Sequence, residues 1–151
     1  QSMISEALSL GAIYLEGGSW FDATPVGVRY ICPTLLDHVS KDARLATRET
    51  FGPVIPVVRV ATEEEAVEFH NGLSGGLDSS IFTRDLQHAL ALTERLKTGS
   101  VTINDFPRHG IGLFPYGGSG KSGIGREGIG YSILEVTESK TIVLSRGPDN
   151  V

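Results

Sequence analysis

The sequence predicts an α/β fold, and three observations carry that reading. Short runs rich in valine, isoleucine and tyrosine recur between stretches whose apolar residues repeat at helical spacing. Two helix starts are signposted, at Thr62-Glu63-Glu64-Glu65 and at Asp85. The chain has 151 residues, of which 40% are hydrophobic and 21% charged. That is enough material for one domain with its own core.

Taken in order, Met3 to Leu10 reads as a helix. Ser2 can cap it, Ile4, Ala7 and Leu8 form its apolar stripe, and Gly11 stops it. Ile13-Tyr14-Leu15 is a short strand closed by Gly17-Gly18, and Val28 to Cys32 is another, stopped by Pro33. Pro53 to Val60 is almost wholly apolar, the pattern of a strand buried on both faces. Thr62 and Glu65 form a capping box for a helix carrying Ala66, Phe69 and Leu73 on one face, with Asn71-Gly72 as its end. Ser79 to Thr83 is a strand. Asp85 caps a helix with Leu86, Ala89, Leu92 and Leu96 inward, Lys97 near its negative end and Gly99 as its left-handed stop. Val101-Thr102-Ile103 is a strand. Glu127 to Val136 is a helix with Ile129, Ile133 and Val136 inward, and Thr141 to Leu144 is a last strand. Strands alternating with helices imply parallel strand pairs. A terminal apolar strand with nothing after it needs an edge to pair with, which another subunit can offer.

Composition narrows the function classes. The net charge is −5 and no basic run occurs, which argues against nucleic acid and anionic membranes as partners. No apolar run approaches the roughly 20 residues of a membrane span. Cys32 is the one cysteine, so no intrachain disulfide forms, and no His/Cys cluster has metal-ligand spacing. A cytoplasmic, reducing compartment is the expectation. Cys32 itself lies before Pro33 with no basic neighbour to activate it, and reads as a core residue rather than a nucleophile.

Nine of the 19 glycines lie from Gly110 to Gly130, which marks a long functional loop. Two stretches in it fit G-x-G-x-x-G, Gly118 to Gly123 and Gly123 to Gly128. A dinucleotide fingerprint must follow a strand and open a helix. The first opens no helix, and the second follows its nearest strand only at a distance. Gly120-Lys121-Ser122 mimics the end of a phosphate-binding loop, but Pro115 stands where the first glycine belongs. Glu49 is more informative. It is either a surface carboxylate at a strand entry or an acceptor for a sugar diol, with Phe51 as an adjoining flat wall.

Glu49-Thr50-Phe51-Gly52-Pro53 is similar to the E-x-F-G-P signature of the aldehyde dehydrogenases. The resemblance continues through Gly76-Leu77, Ser80 to Thr83, Gly99 to Asn104 and Pro115 to Gly118. It runs on through Lys121-Ser122-Gly123, Gly125-Arg126-Glu127 and Thr137 to Thr141, and covers nearly the whole chain. It implies the C-terminal half of that family's three-layer α/β/α catalytic domain over residues 1–136. Residues 137–151 then form the oligomerisation strand and tail, with Glu138 reaching toward a neighbouring subunit in a homo-oligomer. The family's nucleophilic cysteine and glutamate base lie upstream of the matched segment, so no catalytic residue is expected here and the chain alone should be inactive.

For the whole enzyme the resemblance implies oxidation of an aldehyde to a carboxylic acid with NAD or NADP, through a thiohemiacetal and a thioester on that cysteine. It assigns Glu49 to the nicotinamide-ribose hydroxyls and Phe51 to the nicotinamide. The segment from Asn104 to Tyr116 corresponds to a wall of the aldehyde pocket. Within the family, Asp105 to Tyr116 and Gly123 to Tyr131 look most like the archaeal-type non-phosphorylating glyceraldehyde-3-phosphate dehydrogenases. Arg108 and His109 would then read a substrate phosphate, or Arg108 would be solvated or paired with a carboxylate. Tyr116 replaces a common phenylalanine and packs either on the substrate or in the core. Arg126 and Glu127 open a helix, with a structural role for Glu127. A different class remains open: a standalone, non-catalytic binding or assembly module with the same fold.

Overall fold

The computed structural model describes residues 1–22, 29–107 and 114–145. They form two compact units, residues 1–73 and 74–151.

The first unit begins with helix α1 (Ser2–Ser9). Ser2 lies inside the helix and Gln1 occupies the cap position, without a side-chain bond, so the expected serine cap is not made. Gly11 adopts φ +98° and turns the chain into β1 (Ile13–Glu16). Gly17 and Gly18 are also left-handed, and Gly17 is required for a second reason. A Cβ there would sit 2.0 Å from the Pro33 carbonyl oxygen. A hairpin follows, β2 (Trp20–Asp22) against β3 (Arg29–Ile31), with Phe21 and Tyr30 stacked at 5.7 Å.

Next come β4 (Thr34–Asp37), the short helix α2 (Arg44–Thr47), β5 (Val54–Pro56) and helix α3 (Glu63–Gly72). The sheet order is β1-β4-β5, antiparallel then parallel. Ile4, Ala7, Ala12, Leu36, Val39, Ala43 and Leu45 form the apolar cluster between this sheet and the helices. Cys32 is only half-buried, so its reading as a fully buried core residue is not met.

The expected two-sided burial of Pro53 to Val60 is not seen either. The strand proper is three residues long at the sheet's edge. Val54 and Val58 pack on the cluster, while Ile55 is 63% exposed. A continuous apolar run cannot tell a strand covered on both faces from one covered on a single face. The capping box does form: Thr62 Oγ1 accepts from Glu65 N–H, and the Glu65 carboxylate accepts from Ala61 N–H. Val67 is the buried residue of that helix, with Ala66, Phe69 and Leu73 only partly covered.

The second unit is built from β6 (Gly75–Gly76), β7 (Asp78–Ile81), helix α4 (Leu86–Thr93), β8 (Ser100–Ile103), β9 (Ser119–Gly120) and the short helix α5 (Tyr131–Glu135). β7 and β8 pair in parallel, the strand-helix-strand unit that the sequence predicts. Asp85 caps α4 by accepting from His88 N–H at 3.0 Å. Of the expected inner face of α4, Ala89 is fully buried, Leu92 and Leu96 are half-buried, and Leu86 is 58% exposed. The helix ends at Thr93 and Gly99 is not left-handed. Gly99 is needed for space instead, because a Cβ would lie 1.8 Å from the Gly117 carbonyl oxygen.

The last helix also departs from expectation. Gly128 and Gly130 take φ +133° and +86°, which no right-handed helix allows, so α5 starts only at Tyr131. Ile129, Ile133 and Val136 are 61–81% exposed rather than inward. Residues 141–145 form no strand, and Ile142, Val143 and Leu144 are exposed. A strand needs a partner, and the described residues supply none there.

Candidate functional site

In the first unit the candidates sit on a strap between α2 and β5, and both of its ends are anchored. On the α2 side, Leu45 enters the apolar cluster and Arg44 forms an ion pair with Glu6 of α1, which holds the Glu6 carboxyl below its usual range. Arg48 N–H donates to the Arg44 carbonyl at 2.8 Å and closes the helix. On the β5 side, Thr34 N–H donates to the Pro53 carbonyl at 2.7 Å, and Val54 N–H donates to the Gly52 carbonyl at 2.9 Å.

Between these anchors the chain forms neither helix nor strand. Glu49 and Phe51 are exposed, while Thr50 between them is half-buried. Phe51 is 97% exposed. Leaving a phenylalanine in water forgoes about 1.5–3 kcal/mol of burial. It is nevertheless held there, two residues from an exposed carboxylate, on a strap anchored at both ends. An ionised carboxylate offers two acceptor oxygens to adjacent hydroxyls, and an aromatic face offers a flat apolar wall. That pair suits a ribose joined to a planar ring, so the residues present fit a nicotinamide nucleotide.

The strongest electrostatic feature of the same unit lies at the end of β4. Arg59 donates to Asp37 from Nε at 2.9 Å and Nη2 at 2.5 Å, and His38 N–H donates at 2.7 Å. The Asp37 side chain is 4% exposed. The Arg59 bonds lower its pKa to about 2, against an opposing push from burial. Lys41 likewise pairs with Glu65 and lowers its pKa. These are structural ties, since each carboxylate already has its partner.

In the second unit the described candidate is Tyr116. It is half-buried and joins Glu127 in an isolated two-way bridge. Tyr116 N–H donates to the Glu127 carbonyl at 2.8 Å, and Glu127 N–H donates back at 2.7 Å. Glu127 is therefore part of this bridge and does not open a helix. Arg126 Nη1 donates to the carbonyls of Gly118 and Gly125. The glycines thus close the loop on itself. A Cβ on Gly118 would meet Ser122 at 2.4 Å, and β9 pairs with β6. Neither glycine fingerprint opens a helix. Arg108 and His109 lie outside the described residues. Glu49 and Phe51 belong to one unit and Tyr116 to the other.

One feature escaped sequence reasoning. At the C-terminal ends of β7 and β8, an open depression of about 670 Å³ is lined by Phe82, Thr83, Arg84, Leu86 and Asn104. Asn104 has φ +59°. The sequence marks Asn104 as the start of the segment matched to a pocket wall, and an asparagine tolerates that conformation. Among the described residues there is no cluster of three or more metal-ligating side chains, and no helix is long and apolar enough to cross a membrane.

Known proteins resemble this chain in sequence and in fold. The model of the aldehyde dehydrogenase family matches residues 1–142. An NADP-dependent glyceraldehyde-3-phosphate dehydrogenase of Triticum aestivum is 42% identical over 115 residues, covering 76% of this chain and 23% of that protein. A lactaldehyde dehydrogenase of Methanococcus maripaludis is 35% identical over 144 residues, covering 95% and 30%. Among solved structures, a glyceraldehyde-3-phosphate dehydrogenase from Methanocaldococcus jannaschii complexed with NADP superposes with a TM-score of 0.84 at 38% identity, over 96% of this chain and 30% of that one. The chain thus spans about a quarter to a third of the length of these relatives. With a family match over most of its length and that superposition, the chain belongs to the aldehyde dehydrogenase family.

Proposed function

We propose that this chain serves an NAD(P)-dependent aldehyde dehydrogenase as the part that holds the nicotinamide end of the cofactor and one wall of the aldehyde pocket. The observation that carries this is the anchored strap on which Glu49 and Phe51, two residues apart, are both exposed. A bound nicotinamide would supply a hydride acceptor for the substrate. Glu49 accepts hydrogen bonds from the ribose hydroxyls, and Phe51 packs near the planar ring. Both act by orientation, and fixing reacting atoms in place is a large lever on rate. Relatives in complex with NADP favour this cofactor, with NAD as the other member of the class. A standalone binding module is disfavoured, because the relatives that match the chain across its length are dehydrogenases.

The substrate is an aldehyde, and we assign a phosphorylated one of the glyceraldehyde-3-phosphate type. Support comes from the relatives of that activity and from Arg108-His109 within the segment leading to Tyr116. A guanidinium meets a phosphate with two hydrogen bonds, and an imidazole adds a donor. Such charged contacts contribute roughly 1.5–3 kcal/mol each, or about ten- to a hundredfold in specificity. Arg108→Ala in the full-length enzyme should therefore lower kcat/KM for glyceraldehyde-3-phosphate and spare glyceraldehyde. An equal fall for both would make the residue a shaper of its loop, not a reader of phosphate. A homo-oligomer formed through residues 137–151 completes the proposal, supported by the exposed Ile142-Val143-Leu144 run.

A further inference from the structure

Asn104 directly follows β8 and lies in the left-handed region, where an L-residue is disfavoured unless something holds it. What holds it is the backbone of Thr83. Asn104 Oδ1 accepts from Thr83 N–H at 2.8 Å, and Asn104 Nδ2 donates to the Thr83 carbonyl at 2.8 Å. Its own N–H donates to the Ile81 carbonyl at 2.8 Å. A side-chain amide carries the same donor and acceptor as a peptide group. Asn104 therefore adds one more rung to the β7–β8 ladder, beyond the Ile81↔Ile103 pair where the strands end. Glycine would permit the φ but could not make the rung, and most other residues would do neither.

The position gives this clamp a consequence. Asp105 follows at once, and with it the segment that carries Arg108, His109 and Tyr116. The chain leaves the sheet in a direction set by the left-handed turn and by the tie to Thr83. We infer that Asn104 is a positioning residue for the aldehyde: it fixes the root of the pocket-wall segment against the end of β7. The inference rests on the enzymatic reading above and deepens it. A misplacement of about 1 Å at a distance from the chemistry can lower a rate about a hundredfold, so the root of such a segment matters.

The test is steady-state kinetics of the full-length protein with glyceraldehyde-3-phosphate and with NADP as varied substrates. Asn104→Gly keeps the backbone freedom and deletes both bonds. Its KM for the aldehyde should rise about ten- to a hundredfold while its KM for NADP stays near the wild-type value. Asn104→Asp keeps the bond from Thr83 N–H but faces the Thr83 carbonyl with an oxygen, and should show the same split. Being of the same size, it decides the matter if Asn104→Gly does not fold. An unchanged aldehyde KM, or an equal rise in both KM values, overturns the inference, since mere loosening of the fold would not discriminate. A wild-type protein without aldehyde-dependent reduction of NADP or NAD overturns the enzymatic reading and this inference with it. An active wild type with no split in the variants overturns this inference alone.

Discussion

The first unit holds a buried apolar cluster, and the second holds none of comparable size among the described residues. In residues 1–73, a cluster around Leu36 is closed by α1, α2 and the sheet, and ion pairs tie the elements together: Glu6–Arg44, Asp37–Arg59 and Lys41–Glu65. From residue 74 onward, Ile81 and Ala89 are the buried apolar residues among those described. Cohesion there comes from backbone contact that only glycine allows, at Gly76, Gly99 and Gly118. Meanwhile Phe82, Ile124, Ile133, Leu134, Val136 and the 142–144 run lie exposed. The difference separates two ways of holding a segment: a side-chain cluster, an ion pair and backbone hydrogen bonds anchor the Glu49 strap, while close backbone fit holds the loop around Tyr116.

Deleting side-chain volume should break the first unit. Leu36 is fully buried, and Leu36→Ala should destabilise the protein by about 2–5 kcal/mol, through lost transfer energy and the cavity left behind. Phe51→Ala removes more atoms but should change stability by no more than about 0.5 kcal/mol, because that ring is already in water. Urea midpoints of both variants check the pair. Comparable losses would mean that Phe51 is buried in the working protein.

Adding volume should break the second unit. Gly99→Ala places a methyl group against the Gly117 carbonyl, and overpacking of this kind costs about 1–3 kcal/mol. Gly52→Ala is the matched control, since its Cβ meets nothing within 4 Å and its φ is not left-handed. Differential scanning calorimetry should show a lowered midpoint for the first and little change for the second. Equal midpoints would show that the Gly99–Gly117 approach is not maintained in solution.

Acid should sharpen the contrast by a smaller amount. The folded pKa of Asp37 is about 2, below the roughly 3.9 of an unfolded aspartate. Between those values the unfolded chain binds more protons. The contribution is therefore present above the unfolded pKa and is lost as pH falls through the folded one. Glu6 and Glu65, also lowered, act in the same direction. Asp37→Asn should flatten the fall in unfolding midpoint between about pH 5 and pH 2 relative to the wild type. A slope unchanged by the substitution would show that the Arg59 pair does not form in solution.

What the sequence revealed follows the same division. Local chemistry was legible: Thr62 and Asp85 cap their helices, and the parallel β7–α4–β8 unit lies where periodicity puts it. The E-x-F-G-P stretch marked the strap. Features set by distant contact were not legible. Gly99 looked like a helix stop because a glycine after an apolar stripe usually is one, and its real constraint is a carbonyl 18 positions away at Gly117. The helix start expected at Glu127 is overridden by Gly128 and Gly130, whose left-handed conformations delay α5 to Tyr131. Patterning also placed Ile129, Ile133 and Val136 inward, yet an apolar stripe states only that a face is to be covered, not by what. Asn104 stands in a stretch that the family resemblance marks, but its clamp on Thr83 could be found only from the backbone that it holds.

The central claim is that Glu49 orients the cofactor for hydride transfer, and single-turnover kinetics of Glu49→Gln in the full-length enzyme tests it most directly. The substitution keeps the size and some hydrogen bonding while removing the charge. Hydride transfer should slow about ten- to a hundredfold, the scale of one positioning contact, with cofactor affinity changed much less. An unchanged rate of hydride transfer would contradict the account, and Glu49 would then be a solvated carboxylate at the entry to β5.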